Sequence, residues 1–190
     1  MQPRRKRIKV PTAEYLANVA LYYLSRFAAS EASLRRVLEN RLRRAAMVHE
    51  AFTADKTAQE TLHRAIDAIV AQHKKTGVLD DVAYAAMKVR GLRRSGRSAR
   101  RITQQLQQKG VAAGIISAAL KPGDEENGED AERKAALAFA RRRGLGPFRK
   151  SQKDLPENIG RKDFAAMARA GFSYDIMRDV LGSEPETDDE

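Results

Sequence analysis

Apolar residues recur at helical spacing along most of this chain, and that period restricts the folds open to it. Between Leu16 and Phe27 they fall three and four residues apart, as in a helix that buries one stripe. The same spacing returns over 34–42 and in a long polar segment, 57–75, that ends before Gly77. No segment shows the strict alternation of a half-buried strand. The period therefore predicts an all-α protein.

The helices form a unit of three that recurs along the chain. Similar segments begin at Leu34, Ala99 and Gly160, at intervals of 65 and 61 residues. In two of the units the second helix ends at a glycine, Gly110 or Gly171, with an apolar residue after it. Glycine can take the left-handed C-cap conformation while the next residue packs back on the helix. The pattern predicts tandem three-helix, helix-turn-helix-like repeats in an elongated, curved molecule.

Capping residues and turn-rich stretches predict the boundaries. Ser30, either Asp80 or Asp81, Ser98 and Ser173 are predicted N-caps, and Ser95-Gly96 separates two helices. In the third unit, helices are expected over 132–143, over 162–170 and after Ser173. The predicted parts are a basic N-terminal arm (1–12), repeat 1 (13–76), repeat 2 (77–121), an acidic linker (122–129), repeat 3 (130–182) and an acidic tail (183–190).

The charge is strongly positive and unevenly placed. The formal net charge is +11 and the pI is about 10.1. Residues 82–123 contain nine basic side chains and no acidic one. Such a block repels itself unless solvent, a polyanion or an acidic protein surface neutralises it. A membrane surface fits less well, because the basic residues do not flank a strongly apolar helix face.

Two readings of the basic residues are open at this stage. They are either a binding surface for phosphate or acidic protein, or solvated helix faces and helix C-terminal cations. Arg90, Arg94, Arg97 and Arg101 would share a face only if their helix were continuous across Gly96. The candidate binding residues are Arg90, Arg93, Arg94, Arg97, Arg100, Arg101, Lys109, Arg141, Arg142 and Arg143.

Nothing in the sequence forms a catalytic or metal-binding constellation. The histidines lack zinc-ligand spacing and the chain has no cysteine, which is compatible with a reducing cytoplasm. The carboxylates of Asp80-Asp81 precede a helix and are expected to cap it. Four tyrosines at core-like spacings are expected to pack before they serve any base-stacking role: Tyr22, Tyr23, Tyr84 and Tyr174. We therefore expect no enzyme activity, no cofactor, no metal and no membrane span.

An ordered set of short motifs resembles the RecX family of RecA regulators. The match covers roughly residues 13 to 182, and it departs from the family over 43–59, where an insertion replaces a short turn. Each motif is weak alone, and the specificity lies in their order and spacing. The motifs are Gly77-Val78-Leu79-Asp80-Asp81, Tyr84-Ala85, Arg93-Arg94-Ser95-Gly96-Arg97, Ile102, Leu106, Lys109-Gly110-Val111, Arg169, Gly171-Phe172-Ser173-Tyr174-Asp175-Ile176 and Leu181.

The resemblance implies a function as well as a fold. It implies a cytoplasmic protein that binds the RecA–DNA filament and restrains recombinase, ATPase and coprotease activity in DNA repair and the SOS response. The expected partners are RecA filaments and single- and double-stranded DNA, and a monomer is expected. The alternative from the residues alone is a stand-alone helical DNA-binding protein or transcription regulator, although no dimerisation helix is evident.

Overall fold

A computed structural model describes residues 9–121, 128–151, 156 and 158–182 of the chain. Within those residues the secondary structure is helical and contains no strand, which confirms the all-α prediction. A short 3-10 helix, Gly146–Phe148, follows the eighth α-helix. The α-helices are α1 (Ala13–Leu24), α2 (Glu31–Ala46), α3 (Glu50–Ala54), α4 (Lys56–Lys75), α5 (Asp81–Arg94), α6 (Ala99–Gln108), α7 (Ala113–Leu120), α8 (Gly128–Arg143), α9 (Ile159–Ala170) and α10 (Tyr174–Leu181).

The predicted caps explain where α2, α5 and α6 begin. The side chain of Ser30 accepts a hydrogen bond from the Ser33 amide, so it caps α2. Asp80 accepts from two amides in the first turn of α5, at 2.8 and 3.0 Å. Ser98 caps α6 by accepting from the Arg101 amide. Ser173 occupies the N-cap position of α10, but its side chain makes no capping hydrogen bond.

The chain divides into two compact units, and the first extends to Tyr84 and includes residues 109–111. Its core lies among α1, α2 and α4, where Leu16, Leu34, Leu38 and Ile66 are fully buried. The short helix α3 lies in the stretch that departs from the family pattern, and it buries Phe52 in the same core. Residues 50–54, within the predicted insertion, therefore contribute a helix to the packing.

The second unit contains residues 85–108 and the chain from 112 onward, so the division falls inside α5. Its core is formed by α8, α9 and α10, with Phe139 and Phe172 in a tilted ring contact at 5.7 Å. Asp163 is buried, and its carboxylate accepts hydrogen bonds from the Gly146 amide and from Arg149. A buried charge is tolerated there because both bonds compensate its lost hydration.

Each compact unit contains one contact in which a helix-capping serine also donates to the carbonyl just before a turn glycine, and we call this contact a joint. In the first, the Ser30 hydroxyl donates to the Lys109 carbonyl at 2.5 Å, next to Gly110. In the second, the Ser98 hydroxyl donates to the Ala170 carbonyl at 2.6 Å, next to Gly171. Both glycines have left-handed φ values, 76° and 91°, as the repeated turn predicts.

A carboxylate completes each joint at the first amide of the capped helix. Asp81 accepts from the Glu31 amide at 2.9 Å, and Glu132 accepts from the Ala99 amide at 3.1 Å. Helix N-termini leave such amides without intrahelical acceptors, so an anion there is stabilising. Asp81 therefore stabilises the start of α2, while Asp80 alone caps α5.

Several expectations require correction or lie outside the described residues. Helices α8 and α9 begin at Gly128 and Ile159, earlier than predicted. The spacing of apolar residues does not define where a helix begins when its first turn is polar. Phe27 follows the end of α1 and is 56% exposed, so it does not extend the buried stripe. Residues 1–8 of the predicted arm, 122–127 of the linker and the tail (183–190) lie outside the described residues.

Candidate nucleic-acid interface

Helix α6 is strongly amphipathic, and its polar face lines a groove in the second unit. Ile102 and Leu106, four residues apart, are buried. Arg100, Thr103, Gln104 and Gln107 follow the i, i+3, i+4, i+7 spacing that places side chains on one helix face. That face and the end of α9 enclose a groove of about 600 Å³, which we call the α6–α9 groove. Its lining is Arg100, Arg101, Thr103, Gln104, Gln107, Ala168, Arg169 and Gly171.

The α6–α9 groove is cationic and rich in hydrogen-bond donors. In the part of the chain that the structure describes, three guanidinium groups and no carboxylate line it. The only lining residues without a polar side chain are Ala168 and Gly171. Protein-binding hot spots are enriched in Trp, Tyr and Arg, and the described lining has arginines but no aromatic anchor. Arginine, threonine and glutamine are instead the side chains that commonly contact the phosphates and sugars of nucleic acids.

A hydrogen bond from Arg101 joins the two sides of this groove. Arg101 donates to the side chain of Gln104 at 3.1 Å and to the Arg169 carbonyl at 3.2 Å. Arg101 is therefore partly committed to the groove's own structure. Arg100 is exposed and has no partner among the described residues, so its fork of donors is available to a ligand.

Gly171 allows the close approach that shapes the groove. A Cβ atom at Gly171 would lie 2.8 Å from the Ser98 hydroxyl and 3.3 Å from the Cβ of Arg100. The absence of a side chain thus lets the turn after α9 lie directly against the start of α6. The same residue that closes the second joint also positions the arginine at the groove's edge.

The structure separates the predicted basic residues. Because α5 ends at Arg94 and Gly96 adopts φ 74°, the continuous stripe through Arg90, Arg94, Arg97 and Arg101 does not form. A Cβ at Gly96 would lie 2.6 Å from the Phe139 amide nitrogen, so this turn packs on α8. Arg90 and Arg94 line a second groove of about 490 Å³ beside α7 and α8, which we call the α5–α8 groove.

Arg93 also lines the α5–α8 groove but has a structural partner. It forms an ion pair with Glu132, and the two side chains are only 16% and 19% exposed. Glu132 is the carboxylate that also accepts from the Ala99 amide. The charge of Arg93 is therefore largely neutralised, and we assign it to packing between α5 and α8.

The remaining predicted residues line neither groove. Arg142 donates to the carbonyl of Ser95, and its guanidinium lies 5.8 Å from the ring of Phe139. Arg141 lies 5.3 Å from the ring of Phe148, and Arg143 lies 5.9 Å from that of Phe139. These contacts are the cation–π and helix C-terminal interactions expected of a structural cluster. The side chains of Arg97 and Lys109 are exposed and have no partner among the described residues.

Sequence reasoning missed four lining residues of the α6–α9 groove. Thr103, Gln104 and Gln107 carry no charge, so a search for basic residues passes over them. Their helical spacing from Arg100 was the available signal. Arg169 was noted only as part of a family motif, and its proximity to α6 depends on the joint at Gly171, which a linear sequence does not reveal.

Other candidate chemistry is not found in the described part of the chain. It contains no group of three or more histidine or acidic residues that could hold a metal ion. Over the same residues, no helix combines the length and apolarity needed to cross a membrane. The expectation that four tyrosines pack is wrong for Tyr22, which is 61% exposed, whereas Tyr174 is 48% exposed but contacts the ring of buried Phe164 at 6.1 Å. Tyr84 is buried, and this burial raises the pKa of its hydroxyl.

Known sequences similar to this chain share one name. The family described as "RecX, second three-helix domain" matches residues 80–120. "Regulatory protein RecX" of Myxococcus xanthus is 42% identical over 183 residues, covering 96% of this chain and 91% of that protein. "Regulatory protein RecX" of Agrobacterium fabrum is 43% identical over 108 residues, covering 57% of this chain and 54% of that protein.

Solved structures agree on the fold. The crystal structure of RecX from Lactobacillus salivarius superposes with a TM-score of 0.59 at 20% identity, covering 89% of this chain and 94% of that one. A second crystal structure, of "regulatory protein RecX", gives a TM-score of 0.61 at 20% identity, covering 90% and 72%. The two crystal structures therefore have the same all-helical fold as this chain.

Proposed function

Because the chain belongs to the RecX family of regulatory proteins, we propose that it binds the RecA–DNA filament and restrains RecA. The restrained activities are strand exchange, ATP hydrolysis and the coprotease activity of the SOS response. In this proposal the protein acts in the cytoplasm as a non-enzymatic monomer, by occupying a surface that RecA needs. The single observation that carries the proposal is the similarity to the Myxococcus xanthus protein over almost the whole chain.

We assign the DNA contact of this regulator to the α6–α9 groove. The three guanidinium groups of its described lining, with no carboxylate beside them, favour a polyanion. The guanidinium of Arg100 has N–H donors that no described residue uses, so they can bind phosphate oxygens. Neutral Thr103, Gln104 and Gln107 can donate to phosphate or sugar oxygens without adding charge. Such contacts position a protein on DNA without reading base sequence, as binding along a filament requires.

The DNA contact is tested by reversing two charges. A groove variant, Arg100→Glu with Arg169→Glu, leaves Arg101 and its two hydrogen bonds in place. The matched control, Arg44→Glu with Lys75→Glu, changes the net charge equally on exposed residues of the first unit. Binding to fluorescent oligothymidylate is measured by anisotropy across a salt series, and folding is checked by circular dichroism.

The groove variant should bind more weakly than the control, with a shallower dependence on salt. Each lost phosphate contact on a single strand should lower the slope of log K against log salt by about 0.7. Equal affinity and slope for the two variants would remove the groove from the proposal. The regulator function itself is tested by strand exchange with RecA, which the unaltered chain should suppress at less than one molecule per RecA monomer.

A second candidate function is a stand-alone DNA-binding protein, and the cationic groove also favours it. This alternative predicts the same loss of DNA binding in the groove variant but no effect of the unaltered chain on RecA. Strand exchange therefore distinguishes the two functions, whereas DNA binding alone does not.

A further inference from the structure

The α5–α8 groove differs chemically from the α6–α9 groove. Its volume is about 490 Å³, and its floor is made by Val89, Ala119, Leu120 and Ala135. A volume of this size is typical of cavities that take up apolar groups from a ligand. The phosphates and sugars of DNA would gain nothing from an aliphatic floor, because burying them there removes water without supplying hydrogen bonds.

The rim of this groove carries cations that have no partner among the described residues. Arg90, Arg94 and Lys121 are exposed and line the groove from α5 and from the end of α7. Arg93 is neutralised by Glu132, so it adds little to the field of the rim. Among the described residues, no carboxylate lines this groove. The rim therefore favours a negatively charged partner over a neutral or basic one.

An apolar floor with a cationic rim fits one kind of occupant. An amphipathic helix that carries leucine-like side chains on one face and carboxylates beside them could fill the floor and neutralise the rim together. A uniformly acidic segment would satisfy only the rim, and a neutral apolar segment would satisfy only the floor.

We propose that the α5–α8 groove docks an acidic amphipathic segment of a protein partner. The apolar face of that segment lies on Val89, Ala119, Leu120 and Ala135, and its carboxylates pair with Arg90, Arg94 and Lys121. This deepens the proposed function, because it assigns protein recognition to one groove and phosphate recognition to the other. Its binding test needs no RecA, so the two proposals can fail separately.

The probe is a fluorescein-labelled peptide of roughly fourteen residues, about four helical turns, with leucines on one face and glutamates on the others. A comparison peptide has the same composition, with its leucines distributed around the helix. Two groove variants are used, Arg90→Glu with Lys121→Glu on the rim and Ala119→Asp on the floor. Their controls are Arg44→Glu with Lys75→Glu, and Ala119→Ser, which keeps the floor position small and uncharged.

We expect the amphipathic peptide to bind at least about tenfold more tightly than the comparison peptide, since only it can place leucines on the floor. Both groove variants should weaken its binding by at least about tenfold, whereas both controls should stay within about twofold. Binding should persist at high salt, where pairing of exposed charges alone is screened.

Three results would overturn the proposal. The first is equal binding of the two peptides, which would make the groove a simple electrostatic patch. The second is unchanged binding in folded rim and floor variants, which would place the peptide elsewhere. The third is displacement of the peptide from the unaltered chain by oligothymidylate together with loss of peptide binding in the Arg100→Glu, Arg169→Glu variant, which would place the peptide in the α6–α9 groove. Peptide binding to a chain that has no effect on RecA would support this proposal and count against the proposed function.

Discussion

Substitution of Gly171 by alanine should destabilise the second unit and disturb the α6–α9 groove at once. Alanine in the left-handed region costs roughly 1 kcal/mol. Its Cβ would also lie 2.8 Å from the Ser98 hydroxyl, which must then move away from the Ala170 carbonyl. Displacing this hydroxyl should cost about 1–2 kcal/mol more. We therefore expect the free energy of unfolding to fall by about 2–3 kcal/mol.

A double-mutant cycle isolates the steric part of this loss. Ser98→Ala alone removes the cap of α6 and the donor to Ala170, at a cost of about 1–2 kcal/mol. It also removes the atom that the new Cβ would meet, so Gly171→Ala should cost less in its presence. The double variant should be more stable than the sum of the single variants predicts by about 1 kcal/mol.

The equivalent joint in the first unit provides a matched comparison. A Cβ at Gly110 would lie 2.3 Å from the Cβ of Ala32, and the Ser30 hydroxyl is not among its close contacts. Ser30→Ala should therefore give no relief to Gly110→Ala, whereas Ala32→Gly should relieve it. The two joints should therefore differ: the serine is coupled to the glycine in the second unit but not in the first, because the new Cβ meets Ser98 in one and Ala32 in the other.

The assay is urea unfolding followed by circular dichroism at 222 nm, the usual helix wavelength, with m-values compared between variants. DNA anisotropy on the folded variants adds a functional reading, since Gly171→Ala displaces Arg100 and should weaken binding while Gly110→Ala should not. Additivity within about 0.5 kcal/mol at Ser98 and Gly171 would refute the reasoning, because it would mean that the new Cβ does not meet the hydroxyl.

Three further predictions concern groups buried elsewhere in the chain. Arg93→Ala leaves the largely buried Glu132 without its cation, so the free energy of unfolding measured in urea should fall by about 2 kcal/mol. A fall of less than about 0.5 kcal/mol would contradict the packing role of this pair. Asp163→Asn replaces a carboxylate that accepts hydrogen bonds from the Gly146 amide and from Arg149. The free energy of unfolding in urea should fall by about 1–3 kcal/mol. An unchanged urea midpoint would contradict this prediction. Burial raises the pKa of the Tyr84 hydroxyl above its ordinary value of 10.0. The neutral hydroxyl therefore contributes its full stability below pH 10.0, and this contribution is lost as the pH rises through the folded-state pKa. Tyr84→Phe should remove this alkaline loss in a pH series of thermal melts, and parallel curves for the two proteins would contradict the prediction.

Much of the fold could be predicted because the helical period, several caps and the turn glycines are local features of the sequence. The caps Ser30, Asp80 and Ser98 and the turn glycines Gly96, Gly110 and Gly171 are visible in sequence, and the structure uses each as predicted. The role of Asp81 could not be predicted, because its acceptor bond is to an amide 50 residues away. The exposure of Tyr22 was missed for a similar reason: helical spacing gives a period but not which apolar side chains a neighbouring helix covers.

The candidate site was only partly predictable, because charge in the sequence does not show pairing. Arg93 and Arg142 belong to the same basic composition as Arg100, yet Glu132 and the Ser95 carbonyl bind them within the fold. Only long-range packing distinguishes these structural cations from those that face a groove. It also brings Arg169 beside α6, where the neutral side chains of Gln104 and Gln107 complete the lining.

The measurement that tests the account most directly is DNA-dependent ATP hydrolysis by RecA, titrated with this chain below one molecule per RecA monomer. We predict strong inhibition by the unaltered chain and by the Arg44→Glu, Lys75→Glu control, and weakened inhibition by the Arg100→Glu, Arg169→Glu variant. An undiminished rate of hydrolysis, with the chain shown to be bound to the same DNA, would contradict the regulator function and leave a stand-alone DNA-binding protein.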